Sequence, residues 1–217
     1  TIPSDNNGFE IKHVEKSVLK TSGFKSEEQY NAVRLLDHSI GQFFKMAKQS
    51  SYFDNTIFVL FGDHGTADPK AEHMRADDYD LKLRSYNVPL IIYAPNILDP
   101  PKTISTVSGL ADLMPTIAGI CRIPYLNKTI GTDILETKNN FAFIVNKKMS
   151  PNSYGVINDQ YYIRIFQDGS GMELHNILDS NPGEDVKKKY INEADSLKKI
   201  ADGLYETAKY MLYHNSN

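Results

Sequence analysis

The sequence predicts an α/β protein followed by a small antiparallel sheet and a terminal helix. Two strongly apolar segments, 56–61 and 88–93, have the length and the β-branched and aromatic content of buried strands. After residue 133, short aromatic or β-branched runs alternate with turn residues, which is typical of antiparallel hairpins. We therefore predict an α/β core in residues 1–135, and the small sheet with its helix in residues 136–217.

Composition and charge are those of an ordinary globular chain. The 217 residues are 41% hydrophobic and 24% charged, with a formal net charge of -3, so wholesale disorder is not expected. No basic stripe marks a nucleic-acid surface, and we expect no nucleic-acid partner. No apolar run approaches the roughly 20 residues of a membrane span. The polar start of the chain at Thr1 does not resemble a signal peptide, so we expect any targeting segment upstream.

Cys121 is the single cysteine, which excludes a disulfide within the chain. It lies in the apolar stretch 116–123, and no histidine is close to it in sequence. These neighbours predict a small buried core residue rather than a nucleophile.

The first clear helix is predicted over residues 26–49. Ser26 and Gln29 have the spacing of a capping box, in which each side chain accepts from the other residue's free backbone N–H. Apolar residues recur every three or four positions and form one stripe along the helix. The stripe consists of Tyr30, Val33, Leu36, Ile40, Phe43 and Ala47.

The two apolar strands flank a long polar segment. Residues 56–61 indicate a strand buried on both faces, as in a parallel sheet. The connection over residues 65–87 is too long for an ordinary turn, and loops of this length are often functional. Pro89 stands at the start of the second strand, where its missing N–H is tolerated. A short helix over 109–120 follows, with Pro115 in or near its first turn.

The last part of the chain predicts a small antiparallel sheet. Its apolar runs are residues 141–146, 154–158 and 161–167. Asn158-Asp159 and the run 168–171 are typical of hairpin turns. A final helix is predicted over residues 184–213.

The residues that carry chemistry follow the first strand. Asp63 and His64 lie directly after it, where ligands bind in open α/β sheets. A carboxylate oxygen beside an imidazole nitrogen suits a divalent cation such as Mn²⁺, Mg²⁺ or Zn²⁺. Gly62 and Gly65 would let the backbone bend and approach that ion closely. The tripeptide alone leaves an alternative open, with Asp63 as a turn-former and His64 as a surface histidine.

The order of several sequence blocks resembles the C-terminal half of the sulfatase family, within the alkaline phosphatase superfamily. The blocks are Tyr30, Asp37 and Gly41 of the first helix, residues 55–65, residues 88–95, Asp112 to Ile117, Gly131-Thr132-Asp133, and residues 173–176 with Asp179, Pro182 and Gly183. The Asp-His pair and the Asp-Leu-Met-Pro-Thr helix look closest to the lipoteichoic acid synthase and phosphoglycerol transferase branch, whereas arylsulfatases more often carry Asp-Asn. The resemblance extends from about residue 30 to residue 183.

The resemblance implies an alkaline phosphatase-like mixed sheet flanked by helices, of which residues 1–135 would form the C-terminal part. Asp63 and His64 would bind one divalent metal ion, Mn²⁺ as first choice, with Mg²⁺, Ca²⁺ and Zn²⁺ as alternatives. The family's Thr, Ser or formylglycine nucleophile and a further acidic ligand would lie upstream of Thr1. This chain would therefore carry no catalytic nucleophile and be inactive by itself.

His73 and Arg75 are candidates for contact with an anionic substrate group. Both lie in the segment after the Asp-His pair, and arginine offers a bidentate fork to phosphate or sulfate. A solvated loop without a binding role is the alternative.

The resemblance also implies a function for the intact protein. It would transfer or hydrolyse a lipid- or glycan-linked phosphate or sulfate ester outside the cytoplasm, in the periplasm or at the cell surface. The missing N-terminal half of the same enzyme would be its partner and would carry a membrane anchor. Phosphoglycerol or lipid-headgroup transfer is the first choice, and sulfate-ester hydrolysis the second. A non-catalytic module that binds lipid or a partner protein, and a complete small metal-binding domain, are the rival interpretations.

Overall fold

The computed structural model describes residues 8–66, 70–72, 74–98, 100–147 and 150–214. The chain forms two compact units, Thr1–Pro101 and Lys102–Asn217. The first contains α1 (Lys16–Ser22), α2 (Glu27–Ala47), β1 (Phe58–Phe61), α3 (Ala76–Asp80) and β2 (Leu90–Tyr93). The second contains α4 (Leu113–Cys121), β3 (Ala142–Asn146), β4 (Ser153–Ile157), β5 (Tyr161–Phe166), β6 (Met172–Asn176) and α5 (Ile191–His214). The domain boundary between residues 135 and 136 stays a prediction.

Helix α2 begins where the capping signal predicts. The Ser26 side chain accepts the backbone N–H of Gln29 at 3.2 Å. Gln29 Oε1 accepts the N–H of Lys25 at 2.7 Å, so the return bond reaches one residue further back than in the predicted capping box. The shorter helix α1, which precedes α2, was not predicted from the sequence.

Strands β1 and β2 form an antiparallel pair, in register from Phe58 opposite Tyr93 to Phe61 opposite Leu90. The prediction of a parallel-type strand buried on both faces is therefore wrong. The connection between the strands turns the chain back alongside β1, and within the described residues these two strands make up the whole sheet. Phe58 is buried, whereas Phe61 and Ile91 are about half exposed.

The core of the first unit is a cluster of aromatic rings between α2 and the two strands. The Phe44 and Phe58 ring centroids are 5.1 Å apart, and the Phe53 and Phe58 centroids are 5.3 Å apart. Ala47 is buried beside them. The rest of the predicted apolar stripe is not buried in the same way, since Leu36 and Phe43 are exposed.

The second unit contains the predicted antiparallel sheet, with strand order β3-β4-β5-β6. The hairpin turns at residues 158–160 and 168–171 are confirmed, and β6 is a strand that the sequence pattern did not indicate. Helix α5 packs Ala194, Leu197 and Ala201 against Val156 and Leu174 of the sheet. Small alanine side chains let the helix approach the strands closely, as expected for dense core packing.

Helix α5 begins at Ile191 rather than at the predicted residue 184. The preceding residues are held against β6 instead of continuing the helix. The N–H of Val186 donates to the carbonyl of Leu174 at 2.8 Å. The N–H of Leu174 donates to Asp185 Oδ1 at 3.0 Å.

The turn before α4 and the first turn of α4 are joined to the segment 131–134 by buried and partly buried hydrogen bonds. Asp112 accepts the backbone N–H groups of Gly109 and Thr132, each at 2.7 Å. The Thr116 hydroxyl donates to the Asp112 carbonyl at 2.7 Å and accepts the N–H of Ile134 at 3.1 Å. These hydrogen bonds give a structural role to two sequence blocks, Asp112 to Ile117 and Gly131-Thr132-Asp133.

Cys121 is exposed at the last turn of α4, so the prediction of a buried core residue is wrong. The apolar neighbours that motivated the prediction are themselves only partly covered; Ile123, for example, is more than half exposed. Among the described residues, no helix has a long enough apolar stretch to cross a membrane.

Candidate functional site

The Asp-His pair lies immediately beyond the carboxyl end of β1, as the sequence predicts. Strand β1 ends at Phe61, and the N–H of Gly62 still donates to the carbonyl of Pro89 at 3.2 Å. The chain then leaves the sheet, and Asp63 and His64 are the first side chains after this departure.

The two side chains lie side by side and face solvent. The backbone N–H of His64 donates to Asp63 Oδ1 at 2.9 Å, which ties one carboxylate oxygen to the main chain. The other oxygen, Oδ2, is 3.9 Å from His64 Nε2. The side chains of Asp63 and His64 are 88% and 65% exposed, so both remain open to a ligand.

A backbone carbonyl fixes the tautomer of His64. The ring nitrogen Nδ1 is 2.9 Å from the carbonyl oxygen of Gly65. Because a carbonyl oxygen can only accept, Nδ1 must carry the hydrogen of this bond. In the neutral ring the lone pair is then on Nε2, which is 3.9 Å from Asp63 Oδ2. Histidines that bind metals usually have their other ring nitrogen held in this way.

The spacing of the pair does not exceed the limit for two ligands of a single small divalent cation. Two ligand atoms that are each about 2.1 Å from one ion lie at most about 4.2 Å apart. The 3.9 Å between Asp63 Oδ2 and His64 Nε2 is within this limit. Within the part of the chain that the structure describes, no group of three or more His, Cys, Asp or Glu residues could hold a metal ion. Among these residues the pair would therefore supply only two ligands to an ion.

Gly62 and Gly65 pack closely against residues 84–88, and neither has room for a side chain unless its neighbours move. A Cβ on Gly65 would lie 1.9 Å from the carbonyl oxygen of Arg84, and a Cβ on Gly62 would lie 3.0 Å from Val88 Cβ. The N–H of Gly65 donates to the carbonyl of Ser85 at 2.9 Å. The glycines thus permit a close approach to residues 84–88, whereas the sequence analysis expected a close approach to the ion.

Arg75 has its guanidinium fork engaged within the chain. Its Nε and Nη2 atoms donate to Asp77 Oδ1 and Oδ2 at 3.0 and 2.7 Å. Asp77 is buried in the first turn of α3. This hydrogen bond raises the pKa of the Arg75 guanidinium above its ordinary value, against a smaller opposing effect of burial. Contact of Arg75 with a substrate stays a prediction, and His73 lies outside the described residues.

The turn over residues 82–87 is the part of the site that the sequence analysis missed. It contacts Gly65 through main-chain atoms, which no side-chain pattern indicates. One signal was present: Leu81 and Leu83 are apolar residues within a polar segment, and both are buried. They anchor this turn beside the Asp-His pair.

Comparison with known proteins finds sulfatases and lipoteichoic acid synthases among the relatives of this chain. A family model described as Sulfatase matches residues 20–123. Lipoteichoic acid synthase 1 of Bacillus subtilis is 28% identical over 137 residues, which covers 58% of this chain and 21% of that protein. An arylsulfatase of Clostridium perfringens is 29% identical over 147 residues, which covers 63% of this chain and 29% of that protein. The chain thus spans less than a third of the length of these relatives.

The fold of this chain is similar to that of a solved lipoteichoic acid synthase structure. The lipoteichoic acid synthase LtaP from Listeria monocytogenes superposes with a TM-score of 0.65 and 21% sequence identity. The match covers 93% of this chain and 49% of that chain. The solved structure shows an alkaline phosphatase-like fold, and with the family-model match and the sequence relatives it supports a sulfatase-family protein near the lipoteichoic acid synthases.

Proposed function

We propose that this chain contributes two metal ligands to an enzyme that transfers or hydrolyses a phosphate or sulfate ester. Phosphoglycerol or lipid-headgroup transfer is the first choice, supported by the similarity to lipoteichoic acid synthase 1. The observation that carries the proposal is the placement of Asp63 Oδ2 and His64 Nε2 3.9 Å apart, directly beyond β1.

The chain's own residues orient the two donors. Asp63 has Oδ1 tied to the His64 N–H and offers Oδ2, and the Gly65 carbonyl keeps the lone pair of His64 on Nε2. These atoms would hold one divalent cation, Mn²⁺ as first choice. Such an ion, when bound, polarises an ester oxygen and lowers the pKa of the attacking hydroxyl.

We place the nucleophile and a further acidic ligand in another part of a longer protein. The chain matches only 21% and 29% of the length of its relatives, which is consistent with such a part. The apolar faces of α2 and β2 also support it, since Leu36 is 61% exposed and Ile91 57% exposed. Exposed apolar faces beside open strand edges are expected where a further part of the fold packs. The intact enzyme would be extracytoplasmic and membrane-anchored, as the resemblance implies.

Ligand substitutions in the full-length protein test this proposal. Asp63→Ala and His64→Ala should each lower Mn²⁺ affinity by more than about 100-fold, because even the loss of an outer-shell partner costs 10- to 100-fold. Affinity is measured by titration with electron paramagnetic resonance, and turnover by release of phosphoglycerol from lipid. Asp80→Ala, which removes an exposed carboxylate at the last residue of α3, is the matched control. Wild-type Mn²⁺ affinity in Asp63→Ala would reject the proposal.

A second candidate is sulfate-ester hydrolysis, which the similarity to the Clostridium perfringens arylsulfatase favours. An aryl sulfate and a phosphoglycerol lipid, offered to the same full-length preparation, distinguish the two activities. Metal binding without turnover of either ester would favour a non-catalytic module. Tight Mn²⁺ binding by residues 1–217 alone, as a monodisperse folded protein, would favour a complete small metal-binding domain.

A further inference from the structure

We propose that the turn formed by residues 82–87, here named the 82–87 brace, positions the Asp63–His64 pair through its main-chain contacts with Gly65. The inference rests on the proposed metal role of the pair and assigns a positioning function to residues that touch no substrate. The contacts lie in the first unit and involve described residues only.

The brace contacts the main chain immediately after the pair. The N–H of Gly65 donates to the carbonyl of Ser85 at 2.9 Å. A Cβ on Gly65 would lie 1.9 Å from the Arg84 carbonyl oxygen and 3.2 Å from the Asn87 carbonyl oxygen. No side chain fits at this position unless the backbone of Gly65 or of the brace moves.

The same residue controls the orientation of His64. The carbonyl of Gly65 accepts the hydrogen of His64 Nδ1 at 2.9 Å. Gly65 is therefore bonded to the brace through its N–H and to the imidazole through its carbonyl. A displacement of Gly65 would remove the acceptor that keeps the Nε2 lone pair directed outward beside Asp63.

The brace is itself a fixed structure. Lys82 has φ of 59°, a left-handed conformation that is unfavourable for a residue with a side chain. Such strain persists where the surrounding structure determines the backbone. The N–H of Ser85 donates to the carbonyl of Lys82 at 3.0 Å. The buried Leu81 and Leu83 hold the turn in the core of the unit.

Gly65→Ala in the full-length protein tests the inference. The added carbon would have to move from 1.9 Å to beyond 3.0 Å from the Arg84 oxygen, so Gly65 and the brace must separate. We expect Mn²⁺ affinity to fall 10- to 100-fold, the usual effect of losing the group that orients a histidine ligand. In spectra of ¹⁵N-histidine-labelled protein, the Nδ1–H signature of His64 should be lost. Gly41→Ala, with open space around the added carbon, should change neither the Mn²⁺ affinity nor the Nδ1–H signature of His64.

The outcomes distinguish the proposed positioning role of the brace from the proposed metal-binding role of Asp63 and His64. Suppose that Asp63→Ala weakens Mn²⁺ binding while Gly65→Ala keeps both wild-type affinity and the Nδ1–H signature. The positioning role of the brace is then refuted, and the metal-binding role of the pair stands. If Asp63→Ala has no effect, the metal role fails, and the Nδ1–H signature in Gly65→Ala still decides whether the brace orients His64.

A second pair of variants covers the case in which Gly65→Ala does not fold. Lys82→Val places a β-branched residue at a φ of 59°, which it adopts with strain, whereas Lys82→Gly adopts it freely. We expect Lys82→Val to lower Mn²⁺ affinity and Lys82→Gly to retain it. Equal Mn²⁺ affinities in the two variants would refute the positioning role of the brace.

Discussion

Replacing Thr116 by valine tests whether one buried hydroxyl holds α4 to the segment 131–134. The Thr116 side chain has no exposed surface. Its hydroxyl donates to the carbonyl of Asp112 at 2.7 Å and accepts the N–H of Ile134 at 3.1 Å. Valine has nearly the same shape, so the substitution removes these two hydrogen bonds without opening a large cavity.

The expected loss follows from the Ile134 N–H, which would be buried without an acceptor. A buried donor left unsatisfied costs about 1–3 kcal/mol, so we expect Thr116→Val to lower the free energy of unfolding by about 2 kcal/mol. For a chain of about this size, 1 kcal/mol shifts Tm by roughly 2–4 °C. Tm should therefore fall by about 4–8 °C.

Thermal and urea unfolding, followed by circular dichroism, measure both quantities. The urea midpoint should fall at an unchanged slope, because valine does not alter the surface exposed on unfolding. Thr21→Val is the control, since the Thr21 hydroxyl is exposed and bonds to Ser17 within α1; its effect should stay within about 0.5 kcal/mol. An equally small effect of Thr116→Val would refute the structural role assigned to this hydroxyl.

Two further stability predictions concern the second unit. Tyr154→Phe removes the 2.8 Å hydrogen bond to Asp202 Oδ1 and should cost about 1–2 kcal/mol at pH 7 in urea unfolding. Burial and then this bond raise the pKa of Tyr154 to about 12, so the wild type should lose this stability as pH rises from 10 through 12. A fall as steep in Tyr154→Phe would contradict this assignment. Leu174→Ala, at a fully buried position, should cost about 2–5 kcal/mol, whereas Leu178→Ala, 65% exposed, should cost less than about 0.5 kcal/mol; similar costs would be incompatible with the described core.

The features that the sequence predicted correctly depend on neighbouring residues. The N-terminus of α2 follows from Ser26 and Gln29, three positions apart, and their bonds to the main chain are local. The hairpin turns of the small sheet follow from residues within each turn. The position of Asp63 and His64 after β1 needs only the end of one apolar run. Each of these predictions uses a signal that lies within a few residues.

The features that the sequence did not predict depend on residues far apart in the chain. The antiparallel pairing of β1 with β2 is decided by the connection over residues 62–89, which brings the chain back alongside β1. The Thr116 hydroxyl meets a backbone N–H eighteen residues away. The contact of Gly65 with Arg84 and Ser85 is made by main-chain atoms, so the pattern of side chains in the sequence does not indicate it. The exposure of Cys121 also depends on what covers α4, which its apolar neighbours do not specify.

The main-chain bonds around the Asp-His pair have a consequence for the strength of metal binding. Ordering one free side chain on binding costs about 0.5–1.5 kcal/mol, so ordering two would cost about 1–3 kcal/mol. Asp63 and His64 are already held by the bonds to the His64 N–H and the Gly65 carbonyl, although both remain exposed to solvent. At 1.4 kcal/mol for each factor of ten, this ordering corresponds to roughly a 5- to 150-fold difference in affinity. Gly65→Ala would remove only the bond that orders His64. The ordering cost of this one side chain corresponds to about 2- to 12-fold of the 10- to 100-fold loss expected for that variant, with both ligands left in place.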